Sequence, residues 1–343
     1  MSGELVLLRG DGIGEELIDQ ARRVLDALCP DLSSVEHPIG YGAFQERGAA
    51  LPDATLEALR SAPASLLVAV GSPLHPVPGY RSPVVQLRRE LDLFANLRPV
   101  RGAEGSDVDL LIVRENTEGL YVGRERRRGD RAWALRQVTR AATERISRVA
   151  GEAARERSGR VCVVHKANVL RESCGLFREV CLEVLSSFEG LEVEELLVDN
   201  AAYQLAANPE RFDVLVTSNL FGDILSDVAA HAGGGLGVVH SVNRGPQHTL
   251  CEPVHGSAPD IAGQGLANPT ATLRALGEAL AALGRPAVAM ALERALTGAL
   301  GRGFRTPDSG GKKTTRQVVA AVLEELAARR RAPAARLTPD VSL

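Results

Sequence analysis

Four strand-length apolar runs in this 343-residue chain each end in a short polar or charged cluster, and this repetition constrains the fold more than any other feature. Leu110-Leu111-Ile112-Val113 leads into Arg114-Glu115-Asn116-Thr117-Glu118-Gly119-Leu120-Tyr121. Val161 to Val164 leads into His165-Lys166-Ala167-Asn168. Leu196-Leu197-Val198 leads into Asp199-Asn200, and Val214-Leu215-Val216 leads into a segment holding Asp223 and Asp227. Read as strands of an open α/β sheet, these runs present the carboxyl ends at which such sheets place ligands. Four ends supplying Arg, Tyr, Lys and three Asp describe one shared site better than four unrelated structural roles.

The remaining pattern fits such a sheet. Leu5-Val6-Leu7-Leu8 precedes a glycine turn, Gly10-Asp11-Gly12-Ile13-Gly14, and then a helical pattern at Leu17, Ile18, Ala21, Val24, Leu25 and Leu28. The glycines are spaced G-x-G-x-G, short of the G-x-G-x-x-G dinucleotide fingerprint, so a Rossmann site is disfavoured. Leu66 to Val70 reads as a buried strand ending at Gly71-Ser72-Pro73, and Val84 to Leu91 as a helix. Further helices are expected at Thr143 to Arg157, Leu176 to Leu185, Thr270 to Leu283, Ala287 to Leu300 and Thr315 to Ala328. Asn96-Leu97-Arg98-Pro99 marks a crossing into a second region. The residues from Arg331 onward are expected to fray.

Composition narrows the class. The length exceeds that at which single cores usually split, so two domains or one large α/β unit are expected. A net charge of −3 gives no general attraction to nucleic acid or anionic membrane. Five cysteines without a C-x-x-C pair read as reduced thiols of a cytoplasmic protein, with zinc disfavoured. No apolar run approaches the ~18 residues of a membrane span. The arginine-rich stretch from Val122 to Thr139 (Arg124, Arg126, Arg127, Arg128, Arg131) is interrupted by Glu125 and Asp130. A solvated projecting arm is favoured over nucleic-acid contact.

The clusters have definite chemistry. If Phe221-Gly222-Asp223-Ile224-Leu225-Ser226-Asp227 begins a helix, Asp223 and Asp227 share a face, with Ile224, Leu225 and Val228 turned to a core. Two carboxylates aimed at one point repel unless a cation or proton lies between them, and Mg²⁺ or Mn²⁺ suits oxygen ligands. The same pair also suits a solvated helix start, where the macrodipole favours acids. Asp199 could add a third carboxylate. A lysine such as Lys166, desolvated near a cation, can act as a base near neutrality. Tyr121 can deliver a proton, and Arg88, Arg98 and Arg114 suit bidentate carboxylate binding. The loop Glu252-Pro253-Val254-His255-Gly256-Ser257-Ala258-Pro259-Asp260-Ile261, followed by Asn268, has the small residues that let phosphates and a flat ring approach backbone N–H groups.

Taken together, G-D-G-I-G, R-E-N-T-E-G-L-Y, H-K-A-N-V-L, F-G-D-I-L-S-D and E-P-V-H-G-S-A-P-D-I-A-G resemble the β-decarboxylating dehydrogenases, the isocitrate/isopropylmalate dehydrogenase family, from about Leu5 to Ala328. The resemblance implies an α/β, isopropylmalate dehydrogenase-like, two-domain open sheet that is not Rossmann. Residues 1–98 and 253–343 would form a discontinuous large domain that binds the dinucleotide. Residues 99–252 would form a small domain with a dimer-clasp arm at about 122–140. Active sites would be shared in a homodimer, with Lys166 and Asp199 from one chain and Tyr121, Asp223, Asp227, Arg88, Arg98 and Arg114 from the other.

The resemblance also implies roles. Asp199, Asp223 and Asp227 would hold Mg²⁺ or Mn²⁺, Lys166 would serve as base and Tyr121 would protonate the enolate. Asn168 would approach substrate and nicotinamide. Glu252, His255, Gly256, Ser257, Ala258, Asp260, Ile261 and Asn268 would form the cofactor site, with Asp260 and Ile261 resembling the NAD form. Ser72, Arg88-Arg89 and Val77 to Tyr80 are most similar to homoisocitrate dehydrogenases. Val85, however, stands where those enzymes carry an arginine, and an apolar residue there resembles isopropylmalate dehydrogenases. Arg81 or Ser72 could compensate. A 3-substituted malate such as homoisocitrate or isocitrate is expected, with 3-isopropylmalate as the alternative. A non-catalytic regulatory subunit is the rival from another class, and it is disfavoured by the complete Arg, Tyr, Lys and Asp set.

Overall fold

A computed structural model of the protein describes residues 3–73, 75–102 and 106–331. The amino-terminal part runs β1 (Leu5–Leu8), α1 (Gly14–Leu28), β2 (Ser34–His37), α2 (Tyr41–Arg47), α3 (Asp53–Ser61), β3 (Ala64–Leu67) and α4 (Pro83–Glu90). The middle follows with β4 (Ala95–Arg101), β5 (Asp109–Glu115), β6 (Glu125–Arg128), β7 (Arg131–Ala134), α5 (Arg140–Arg155), β8 (Arg160–His165) and α6 (Ser173–Leu185). It continues through β9 (Glu192–Leu197), α7 (Val198–Ala207), β10 (Val214–Thr217), α8 (Asn219–Ala232), β11 (His240–Arg244) and β12 (Thr249–Pro253). Three helices close the described chain: α9 (Thr270–Ala282), α10 (Pro286–Gly301) and α11 (Thr315–Arg331).

Ten strands form one mixed sheet in the order β2-β1-β3-β12-β11-β4-β5-β10-β8-β9. Parallel pairing joins β2, β1, β3 and β12 at one side and β5, β10, β8 and β9 at the other. Between these blocks β11 and β4 pair antiparallel with each other and with their neighbours. The first block therefore draws on both ends of the chain, and the second on its middle.

Both faces of the inner strands are covered, which is why β1, β5, β8 and β10 read as nearly unbroken apolar runs, whereas the edge strands β2 and β9 do not. Leu5 and Leu7 enter one core with α1 and α9, whereas Val6 and Leu8 enter another with Leu59 and Leu87. Leu215 likewise packs on one side of β10, and Val214 and Val216 on the other. Strand alternation sends neighbours to opposite faces, so four cores follow from two double-sided blocks.

Some expectations shift. β3 ends at Leu67 rather than Val70: Val68 N–H still donates to the Leu8 carbonyl of β1 at 3.2 Å, but the residues after it bond to the glycine turn. Asp11 N–H donates to the Ala69 carbonyl at 2.9 Å, and the Asp11 carboxylate accepts from the amides of Gly71, Tyr41 and Gly42 at 2.7, 2.8 and 2.8 Å. Ile224 is 53% exposed and not turned to the core, although Leu225 is fully buried. The arginine-rich stretch forms a separate exposed two-stranded ribbon of β6 and β7. The expected fraying beyond Arg331 lies outside the described residues.

Candidate active site

Residues from β4, β5 and α8 converge on one buried cluster. Gly222 lets α8 approach β5, since a Cβ there would lie 2.6 Å from the Arg114 side chain. Arg114 is 1% exposed. Its Nε and Nη2 donate to Asn219 Oδ1 at 3.1 and 2.7 Å, and Nη1 donates to Asp223 Oδ1 at 2.5 Å. Arg98 donates to Asn96 Oδ1 at 2.8 Å, to Ser226 Oγ at 2.5 Å and to Asp223 Oδ1 at 3.2 Å. The Tyr121 hydroxyl donates to Asp223 Oδ2 at 2.5 Å, and the Arg114 guanidinium lies 5.3 Å from the centre of its ring.

Arg88 is also buried. Its Nη2 lies 3.7 Å from Glu252 Oε1, and its Nε has no hydrogen-bond partner. Burial lowers the pKa of Arg88 and pulls that of Arg98 down to about 10, with Arg114 adding repulsion. Three guanidiniums thus share a volume in which Asp223, Asp227 and Glu252 are the nearby anions, and an orphaned buried donor is costly until a ligand meets it.

The two aspartates of α8 stand one turn apart and are pushed in opposite directions. Burial works to raise the Asp223 pKa, but Arg114, the Tyr121 hydroxyl, Arg98 and Arg88 outweigh it and the net shift is downward. Burial raises Asp227 despite Arg98, and the Asp223 charge adds to the rise. Asp227 reaches Arg98 only at 3.7 Å and is 62% exposed. Two oxygen-donor carboxylates on consecutive turns fit a hard divalent cation, which keeps several waters or substrate oxygens as its other ligands. Tyr121 is raised by burial and then by Asp223, so it holds its proton at neutral pH.

Lys166 and Asp199 lie elsewhere and pair with each other. Their contact lowers the Asp199 carboxyl, which is exposed. Asn168 beside them is exposed as well. Among the described residues no group of three His, Cys, Asp or Glu side chains gathers as a metal site, so one chain brings Asp223 and Asp227 together without Asp199.

The loop after β12 packs against the glycine turn. Ile13 N–H donates to the Ser257 carbonyl at 2.9 Å, and a Cβ on Gly12, at φ +60°, would sit 2.1 Å from that oxygen. His255 lies in this loop with its Nε2 buried and unpartnered; burial lowers its pKa. Gly256 and Asp260 are exposed, Ser257, Ala258 and Ile261 partly so. Asn268 is buried and uses its amide within the chain, donating to Asp308 at 2.9 Å and Ser309 at 2.7 Å and accepting from Thr270 N–H at 3.0 Å. Close backbone, small residues and an orphaned ring nitrogen fit a dinucleotide. Ser72 is exposed and Val85 half-buried one turn before Arg88. Reading the sequence missed Asn96, Asn219, Ser226 and Asn243 as site residues; of these only Ser226 stood in a recognised motif, F-G-D-I-L-S-D.

The family model described as isocitrate/isopropylmalate dehydrogenase matches residues 4–322. An isocitrate/homoisocitrate dehydrogenase of Thermus thermophilus is 48% identical over 331 residues, covering 95% of this chain and 99% of that protein. A 3-isopropylmalate dehydrogenase of Methanothermobacter thermautotrophicus is 43% identical with the same coverage. The crystal structure of isocitrate dehydrogenase from Methylococcus capsulatus superposes with a TM-score of 0.90 at 40% identity, over 94% of this chain and 99% of that one. The chain belongs to the isocitrate/isopropylmalate dehydrogenase family. It is therefore an enzyme, a dehydrogenase of a family that depends on NAD(P) and a divalent metal and acts on small molecules. No described helix is long and apolar enough to cross a membrane.

Proposed function

We propose that the protein catalyses NAD- and divalent-metal-dependent oxidative decarboxylation of a 3-substituted D-malate, with homoisocitrate or isocitrate as the substrate. The observation that carries this reading is the cluster of Arg88, Arg98 and Arg114 beside the Asp223/Asp227 pair. Such a cradle takes a small polycarboxylate, because desolvated guanidiniums gain most from a bidentate anion. Identity to the Thermus isocitrate/homoisocitrate dehydrogenase supports the tricarboxylate. Val85 supports 3-isopropylmalate as the second reading, since an unpaired distal carboxylate against an apolar side chain is disfavoured.

Bound cofactors supply a hydride acceptor and Lewis acidity toward the hydroxyl and the later carbonyl. The chain's own residues do the rest. The arginines orient the malate carboxylates, Tyr121 keeps a proton for C3, and Lys166 removes the hydroxyl proton. Lys166 and Asp199 would reach the cradle from a second subunit, completing a shared site in a homodimer. The β6–β7 ribbon, with Trp133 52% exposed, would clasp that partner. Residues 1–98 and 253–343 would move as one domain and 99–252 as the other. The exposed Asp260 carboxylate favours ribose hydroxyls and repels a 2′-phosphate, hence NAD over NADP.

The test is NADH formation with Mn²⁺ on homoisocitrate, isocitrate, 3-isopropylmalate and D-malate, repeated with NADP. Turnover of homoisocitrate or isocitrate, abolished by a chelator and weak with NADP, is expected. A folded protein that oxidises none of the four overturns the substrate class. Preference for 3-isopropylmalate selects the second reading.

A further inference from the structure

Strand β11 carries a side chain that joins the arginine cradle to the loop after β12. Asn243 is fully buried, and in register it faces Asn96 of β4 on one side and Leu250 of β12 on the other. Strand alternation puts it on the same sheet face as Asn96, Arg98 and Glu252. Its amide oxygen accepts from Asn96 Nδ2 at 2.8 Å and Asn116 Nδ2 at 2.9 Å. Its amide nitrogen donates to the Leu250 carbonyl at 3.2 Å and to Glu252 Oε1 at 2.8 Å. Two bonds accepted and two donated fill a carboxamide.

The line extends in both directions. Asn96 Oδ1 accepts from Arg98 Nε at 2.8 Å, and Glu252 Oε1 faces Arg88 Nη2 at 3.7 Å. A buried path therefore runs Arg98, Asn96, Asn243, Glu252, with Arg88 at its far end. Glu252 stands at the end of β12, two residues before the loop that holds His255 and Ser257.

We infer that Asn243 is a positioning residue that couples anion binding in the arginine cradle to the geometry of the dinucleotide loop. This rests on the oxidative-decarboxylase reading above. An anion between Arg98 and Arg88 draws on the same guanidiniums that Asn96 and Glu252 hold. The Asn243 amide cannot turn to follow one end without losing its bonds at the other, so a shift in the cradle reaches Glu252. An apolar side chain of similar volume would fill the same space between strands. Only the carboxamide supplies the connection.

The experiment titrates NADH, which cannot accept hydride, into the full chain with Mg²⁺, with and without an acid that the wild type turns over. The ratio of the two dissociation constants measures the coupling. The wild type is expected to bind NADH about tenfold more tightly with the acid present. In Asn243→Leu the ratio falls to about one. Asn243→Asp keeps the acceptor atoms toward Asn96 and Asn116 but sets a second carboxylate against Glu252. Its ratio also falls toward one, because no N–H is left to meet Glu252.

A merely structural role would weaken NADH binding with and without the acid alike and leave the ratio unchanged. A Leu variant that does not fold leaves the decision to the Asp variant, which preserves side-chain size. A wild-type ratio near one, or variants that keep the wild-type ratio while the acid is turned over, overturns the inference alone. A wild type that turns over no acid removes the functional reading, and the inference with it.

Discussion

Asp223 touches Arg98, Arg114 and Tyr121 at once, while Lys166 touches Asp199. This division sets what single substitutions do. Lys166→Met should lower turnover roughly 100-fold to 10,000-fold, the range for loss of a general base, with NADH affinity nearly unchanged. Steady-state rates and a fluorescence titration check it, and a near-normal rate removes Lys166 from the chemistry. A second prediction lies outside the site. Asp213 is buried, accepts from Arg157 Nε at 2.5 Å and from Ser158 N–H at 2.9 Å, and these contacts overcome burial to hold its carboxyl below its ordinary value. A lowered native pKa contributes stability that is present above the unfolded value of about 4 and is lost as pH falls through the native one. Asp213→Asn should cost about 2 kcal/mol at neutral pH, and the gap to wild type should narrow below pH 4. Denaturant melts at several pH values measure it.

At the scale of elements, sequence periodicity was readable where packing follows a fixed repeat. The face of α1 formed by Leu17, Ile18, Ala21, Val24 and Leu25 is buried as spaced. Helix α5 begins at Arg140 rather than Thr143 because Thr139 caps it, its hydroxyl accepting from Ala142 N–H at 3.2 Å. The same hydroxyl donates to Glu118, which also accepts from Thr139 N–H at 2.8 Å, so the cap closes the base of the β6–β7 ribbon. Thr139→Ala should cost about 1 kcal/mol by thermal or denaturant melting, and more if the ribbon base loosens with it. Strands β11 and β12 were not legible. His240-Ser241-Val242-Asn243-Arg244 is polar at every position but Val242, and its buried Asn243 is satisfied by Asn96 and Asn116 from distant parts of the chain and by Glu252 of the next strand. Propensity cannot reveal a strand whose burial is satisfied by side chains 127 or 147 positions away. Ile224 misled for a related reason: it lies one residue, about 100°, round the helix from Leu225, at the margin of the apolar stripe.

The whole molecule is where sequence and single chain part company. The motifs carry Lys166, Asp199, Asp223 and Tyr121 with equal clarity, yet the fold gathers them into two groups on one protomer. In the shared-site homodimer proposed above, a symmetric pair exchanging those groups would make each site from two chains, because a two-fold axis gives both copies the same complementary faces. Lys166→Met and Asp223→Asn homodimers should each be nearly inactive. When the two variants are co-refolded, half the dimers are mixed, and each mixed dimer has one site with both residues intact and one with neither. Activity should return to about a quarter of wild type per subunit. If Lys166 and Asp223 served the same chain's site, every site in the mixture would carry one lesion and no activity would return. The mixing ratio sharpens the distinction: recovered activity should peak at equal amounts of the two variants and fall to the background on either side, as the mixed-dimer fraction does.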